Sequence, residues 1–318
     1  MRLRDISREV YAREILPLTA SLWTGRRTFE EYAAQTLEIA RGAYGRRHFR
    51  TIGLYDGRAM VASFKRYERT LRNGSRRLRA IGFGAVFTPV EFRSRGYASV
   101  MLAMALDQAR SEGYDLAYLF SDIRPAFYAA LGFAALPSRA FSLRADALPA
   151  MRLELARLAD DDWNGTRHVF DLAERRRSAG FLRSSTVWEW IRMRARHSSE
   201  HPVGEETNLV VRRRRAIAAY VFGVRAPARD AYILDELGFA DDAAAAAVPA
   251  LLRAAAGDLR RIVGWLPPNG IRELLPRFVT RKRTRSIFMM AALGTEGERL
   301  QGALCASRDD FCWATEHI

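Results

Sequence analysis

From Val86 to Ser99 the chain reads Val-Phe-Thr-Pro-Val-Glu-Phe-Arg-Ser-Arg-Gly-Tyr-Ala-Ser, and no other stretch restricts the fold as much. An alternating apolar segment, Arg79 to Thr88, runs into Pro89, and a segment of helical period, Tyr97 to Glu112, starts directly after Gly96 and stops at Gly113. A strand that passes into a helix through such a loop leaves about four unpaired N–H groups and the positive end of the helix dipole at the loop. That is a place for a phosphorylated ligand, a pyrophosphate above all. Gly96 lets backbone approach phosphate closely, small Ala98 avoids a clash on the first turn, and Arg93 and Arg95 can add charge-assisted bonds. The residues expected to touch the ligand from this loop are Arg93, Ser94, Arg95, Gly96, Tyr97, Ala98 and Ser99.

The rest of the first half supports this element. Residues 1–6 read as a strand, and Glu9 to Trp23 and Phe29 to Tyr44 as amphipathic helices, separated by Gly25-Arg26-Arg27-Thr28, with Thr28 and Glu31 forming a capping box. Turns at Asp56-Gly57 and Asn73-Gly74 join three antiparallel strands. After the long helix come a strand at Leu116 to Phe120, a short helix from Ile123 to Leu131 closed by Gly132, and a last hairpin of Phe133 and Ala140 to Leu143. The composition shifts around Pro149. Beyond it the order of elements repeats without repeating the sequence: a strand at Arg152 to Leu158, helices near 161–175 and 184–197, and a hairpin from Leu209 to Arg225. A strand from Ala231 to Phe239, an alanine-rich helix from Asp241 to Ala256, a strand at Arg261 to Leu266, a short helix from Gly270 to Leu275 and a strand at Ser286 to Leu293 follow. The expected architecture is a mixed-sheet α/β (α+β) fold in two tandem domains, 1–147 and 148–318.

With 318 residues, two domains of about 150 residues each match the size at which single cores stop growing. Apolar residues make up 49% and charged residues 27%, a globular composition, and no apolar leader or long uncharged apolar run is present, so a cytoplasmic chain away from membranes is expected. The net charge of +15 rests almost wholly on arginine, since Lys65 and Lys282 are the only lysines. A coding bias gives that composition without a nucleic-acid partner, and a ligand with three phosphates suits it as well. Cys305 and Cys312 form no Cys-x-x-Cys pair, and His48, His168, His197, His201 and His317 do not bracket them with zinc spacing, so neither a disulfide framework nor a metal is expected.

Arg93-x-x-Gly96-x-Ala98 after a Val-x-Thr strand resembles the acetyl-CoA signature of the GCN5-related N-acetyltransferases, the GNAT superfamily. Phe127-Tyr128-Ala129-Ala130-Leu131-Gly132-Phe133 is similar to that family's second CoA motif. The resemblance covers residues 1–145. It implies a GNAT fold whose fourth and fifth strands splay apart, with pantetheine in the gap against free backbone groups of Val86, Phe87 and Thr88, and Tyr128 as general acid for the thiolate. It implies acetyl-CoA as co-substrate, no metal, and acetyl transfer to a primary amine of a small molecule or peptide. No general base stands out: Glu91 lies on the phosphate side, and Asp122 is expected to cap the short helix. The second half lacks the loop, because Asp241 and Asp242 stand where phosphate would bind.

Two such folds in tandem, the first alone keeping its CoA loop, resemble the enhanced intracellular survival type of acetyltransferase, here without its sterol-carrier-like domain. In that type the terminal carboxylate enters the catalytic site. Phe311, Trp313 and Ile318 make this C-terminal segment apolar enough to dock, so Ile318 is a candidate for ordering the amine or taking its proton, a packed strand end being the alternative. A non-catalytic acyl-CoA sensor and a basic nucleic-acid-binding protein are the rival functions. The acceptor and the oligomeric state, a homo-oligomer included, are left open.

Overall fold

The structure is a computed structural model, and it describes residues 1–24, 27–122, 124–200, 204–268, 271–307 and 309–318. Gly25, Arg26, Ile123, His201 and Gly270, named above, lie outside the described residues, as does the side chain of His197. Two eight-stranded mixed sheets form its frame. The first runs Arg2–Ile6, Phe49–Asp56, Ala59–Asn73, Arg76–Phe87, Leu116–Ser121, Ile287–Ala292, Ala134–Ala135, with Ala179–Leu182 added beside Thr70 to Asn73 where Phe49–Asp56 has ended. The second runs Val279–Lys282, Arg139–Arg144, Arg261–Trp265, Ala231–Phe239, Ala216–Ala226, Leu209–Arg213, Leu155–Arg157, with Glu205–Glu206 on Ala216–Ala226.

The sheets exchange strands. Ala140 to Leu143, expected to close the first fold, pairs with Arg261–Trp265 in the second sheet, where Phe141 and Leu143 join that core. Ile287–Ala292, expected in the second fold, pairs with Leu116–Ser121 in the first. Its residues explain the placement. Phe288, Met289, Met290 and Ala291 are buried in succession, so both faces are covered, as a central strand requires. Each sheet thus draws on residues from both sides of position 147.

Locally the elements follow their signals. Thr28 and Glu31 form the capping box of helix Phe29–Arg41, with Thr28 N–H donating to Glu31 Oε2 at 2.7 Å and Glu31 N–H to Thr28 Oγ1 at 3.2 Å. The alanine-rich helix is split into Asp242–Ala245 and Val248–Ala256, because Pro249 sits in the first turn of the second piece and supplies no N–H. Arg214 and Arg215 both take positive φ, 50° and 67°, as the two central residues of a tight hairpin turn, so the arginines from Arg213 to Arg215 are exposed to solvent.

Helix Tyr97–Ser111 covers one face of the first sheet, packing Met101, Leu102 and Ala105 onto Ile81 and Phe83. The other face carries Ala80, Tyr118 and Phe120 against Phe181, Phe288 and Phe311. No described helix is long and apolar enough to cross a membrane.

Candidate active site

Strand Arg76–Phe87 pairs in parallel with Leu116–Ser121 at three positions only, Ala80 to Gly82 against Leu116 to Tyr118. Past Gly82 the two strands part. A bulge in the pairing with Ala59–Asn73, with Ala85 at φ 46°, bends the strand away at that point. Val86, Phe87 and Thr88 therefore edge a gap on the side facing Leu116–Ser121. Phe87 is buried and Val86 and Thr88 are half-buried.

The loop that follows is built from its own contacts. Phe92 N–H donates to Pro89 O at 3.0 Å and Arg93 N–H to Val90 O at 3.2 Å, making one tight turn. Arg93 Nε donates to Thr88 O at 3.1 Å, tying the loop to the strand end, so the Thr88 carbonyl is already engaged. Ser94 and Gly96 take positive φ, 62° and 78°, and the first helical bond is Val100 N–H to Gly96 O at 3.0 Å. The N–H groups of Tyr97, Ala98 and Ser99 precede that bond and have no acceptor within the helix. Gly96 has open space where a Cβ would stand, so it is φ, and room for a ligand, that calls for glycine. Arg93, Ser94, Arg95 and Gly96 are exposed around this nest, while Tyr97, Ala98 and Ser99 are half-buried. Arg95 leans over Phe92, 6.0 Å from the ring centre, and Phe92 meets Tyr97 edge-on. All seven loop residues named from the sequence thus gather at one helix N-terminus.

Tyr128 lies on helix Pro125–Ala129, half-buried between the rings of Phe127 and Phe133. Burial, then the nearby charge of Asp122, raises its phenol above the ordinary value, so it stays protonated at neutral pH. Asp122 does not cap that helix. Its Oδ1 accepts from both Ser286 N–H and Ser286 Oγ at 3.0 Å, and Arg124 stands at the helix start with no side-chain cap. The entry of strand Ile287–Ala292 beside this loop recruits the carboxylate.

Ile318 reaches the opposite face of the first sheet. A Cβ at Gly82 would lie 2.6 Å from Ile318 Cδ1 and 2.7 Å from Tyr118 Cζ, and one at Gly84 would lie 3.6 Å from the main-chain carbon of Ile318. Glycine at position 82 is what admits the Ile318 side chain, whereas at Gly84 the tight neighbour is Tyr67, whose Cε2 would lie 3.0 Å from a Cβ. The segment is held by a buried ionic chain. Glu316 pairs with Arg69 and accepts from Arg183 Nε at 2.7 Å, and Arg183 forms a fork on Glu236 at 2.6 and 3.0 Å. Tyr220 Oη donates to the same Glu236 at 2.6 Å, and Arg183 stacks 3.9 Å from the Phe170 ring centre. Burial alone would raise the Glu316 pKa, but Arg183 and Arg69 overcome it and hold the carboxyl below its usual range.

Sequence reasoning missed this chain, because its charges lie far apart along the sequence and nothing local shows that they are buried together. It also missed His317, whose Nε2 is buried with no hydrogen-bond partner among the described residues and whose ring lies 5.0 Å from that of Phe120. In the second fold the corresponding helix start is filled by its own residue: Asp241 accepts from Ala244 N–H at 2.9 Å and pairs with Arg213. No phosphate nest is left there.

Among known proteins, residues 16–136 match the family described as acetyltransferase (GNAT) domain. No curated protein matches the chain. Of solved structures, a probable N-acyltransferase from Enterococcus faecalis superposes with a TM-score of 0.72 at 14% identity, over 92% of this chain and 72% of that one. A GCN5-related N-acetyltransferase from Kribbella flavida gives 0.66 at 20% identity, over 92% and 72%. Eis1 from Mycobacterium abscessus gives 0.62 at 13% identity, over 92% and 73%. Both sheets fall within this likeness, and residues 16–136 contain the whole phosphate loop and Tyr128. Residues 16–136 thus match a GNAT acetyltransferase domain, and the chain as a whole has the fold of two GNAT-like units in tandem.

Proposed function

We propose that this chain transfers an acetyl group from acetyl-CoA to a primary amine of a small molecule or peptide by direct attack. The observation that carries the reading is the nest at Arg93 to Ser99, standing at the end of a strand that has just parted from its parallel neighbour. In this reading the N–H groups of Tyr97, Ala98 and Ser99, with Arg93 and Arg95, take the pyrophosphate, and pantetheine follows the free edge at Val86, Phe87 and Thr88. The amine nitrogen forms its bond to the thioester carbon, the carbon–sulfur bond breaks, and the sulfur receives the proton of Tyr128. Ile318, beside Gly84, orders the amine or passes its proton to water. Residues 1–147 carry the CoA site and Tyr128, and residues 148–318 supply Ile318 and shape the acceptor side without a CoA site of their own.

Thiol release from acetyl-CoA, followed colorimetrically over a panel of amines, tests this. Calorimetric binding of CoA without turnover of any amine would favour a sensor over an enzyme. A C-terminal extension beyond Ile318 is expected to keep CoA affinity and lose turnover. Full activity in the extended protein would return Ile318 to a packing role.

A further inference from the structure

A cavity of about 210 Å³ opens in the second fold, between helix Ser185–Glu200 and strands Ala216–Ala226 and Ala231–Phe239. It takes no part in the scheme above. Its polar wall is made by a strand irregularity: Phe222 pairs with Glu236 and Gly223 with Leu234, so Asp235 is the extra residue of a bulge. Bulges re-aim side chains, and this one brings Asp235 to the cavity beside Glu206 and Arg194. Trp163 and Phe222, 5.6 Å apart between ring centres, form its apolar side.

These three charges are not satisfied by one another. Glu206 accepts from Asn208 Nδ2 at 2.5 Å. The Asp235 side chain has no hydrogen bond or ion pair among the described residues. The Arg194 guanidinium lies 4.6 Å from the Trp190 ring centre, and its Nη1 is buried with no hydrogen-bond partner. A buried donor without an acceptor is costly, and native proteins seldom keep one without a use. Burial raises both carboxyls, Asp235 to about 7 with Glu236 and Glu206 adding to the rise and Arg194 opposing it.

We infer that this cavity binds an α-amino acid with an apolar side chain, its carboxylate on Arg194, its ammonium between Asp235 and Glu206, and its side chain against Trp163 and Phe222. The ligand supplies a carboxylate to the Arg194 guanidinium and a cation to the two carboxylates. Held as an ammonium, its nitrogen has no lone pair for a thioester, so the site recognises its ligand and does not acetylate it.

Calorimetry on the full chain tests this independently of turnover. The probes are L-leucine and L-phenylalanine, with isopentylamine and 4-methylpentanoate as the two halves of leucine. At least one of the amino acids is expected to bind about tenfold or more tightly than either half. Arg194→Gln should weaken the amino acid about tenfold and leave isopentylamine unchanged, and Asp235→Asn should weaken the amino acid and leave 4-methylpentanoate unchanged. Glu206→Gln, on a short edge strand, repeats the Asp235 result should that variant fold poorly. Binding of neither amino acid by the wild type, or amino-acid affinity unchanged in the variants, overturns the proposal. Either result leaves the acetyl-transfer reading to be judged by thiol release alone.

Discussion

At Gly96 a backbone angle and an electrostatic requirement coincide. The residue sits at φ 78° with nothing near its missing Cβ. Gly96→Glu therefore meets no clash, only a left-handed strain of about 1–2 kcal/mol, while placing a carboxylate in the proposed phosphate nest. The expected outcome is a folded protein with CoA binding lost, checked by circular dichroism and calorimetry. Wild-type affinity in that variant would remove the loop from the site. Tyr128→Phe keeps the ring between Phe127 and Phe133 and removes only the proton. It is expected to lower kcat about 100-fold with little change in the KM for acetyl-CoA, and an unchanged kcat would leave Tyr128 as packing. His317 is pushed from the ordinary 6.5 down to about 4, by burial first and then by Arg194, while Asp122 opposes. The unfolded chain then binds a proton below 6.5 that the native ring refuses until about 4, so stability falls as pH drops through that window, by at most about 3 kcal/mol. Urea midpoints at pH 7 and pH 5 should fall further apart in the wild type than in His317→Phe. An equal fall in both would count against the assignment.

Among elements, the C-terminal segment after helix Thr295–Ala306 depends most on distant partners. It has only the short turn Ala314–Glu316 of its own, yet Phe311, Trp313 and Glu316 are buried. Glu316 answers two guanidiniums, one from each fold's surroundings, and Arg69 and Arg183 have fully buried side chains. Glu316→Gln keeps the shape but leaves Arg69 buried without a countercharge and Arg183 with Glu236 alone, which is expected to cost about 3–5 kcal/mol in urea unfolding. Loss of less than about 1 kcal/mol would show that the chain of charges does not hold the segment. The helix starts of the two folds differ in the same physical terms: at Tyr97 no side chain caps the N–H groups, and at Asp242 the carboxylate of Asp241 caps the Ala244 N–H.

For the whole molecule the exchanged strands matter most. Residues 1–147 contain both edges of the gap but not Ile287–Ala292, which separates Leu116–Ser121 from Ala134–Ala135 and pairs with Leu119 and Phe120. They also contain Arg139–Arg144, whose partners lie in the other sheet. A fragment ending at 147 is expected to expose two unpaired apolar strand edges and to aggregate, whereas the full chain unfolds in one calorimetric transition. Two resolved transitions, or a soluble fragment with native-like circular dichroism, would show that the halves fold independently.

The nest from Arg93 to Ser99 was legible in the sequence because every part of it is local. Pro89 ends a strand, Gly96 permits the left-handed turn, and the N–H groups belong to the first turn of the adjacent helix, so contiguous residues determine the geometry. The capping box at Thr28 and Glu31 was legible for the same reason. What the tertiary structure alone decided is which sheet each apolar strand joins and which charges are buried. Ala140 to Leu143 and Ile287 to Ala292 have strand patterns that state how many faces are covered, not by whom, and long-range packing chose the partners. Arg69 and Glu316 lie 247 positions apart. Arg194, Glu206 and Asp235 meet only because a bulge turns one of them toward a helix it does not adjoin in sequence. A charge becomes structural or ligand-binding only once water has been removed from it, and that removal is a property of the assembled core.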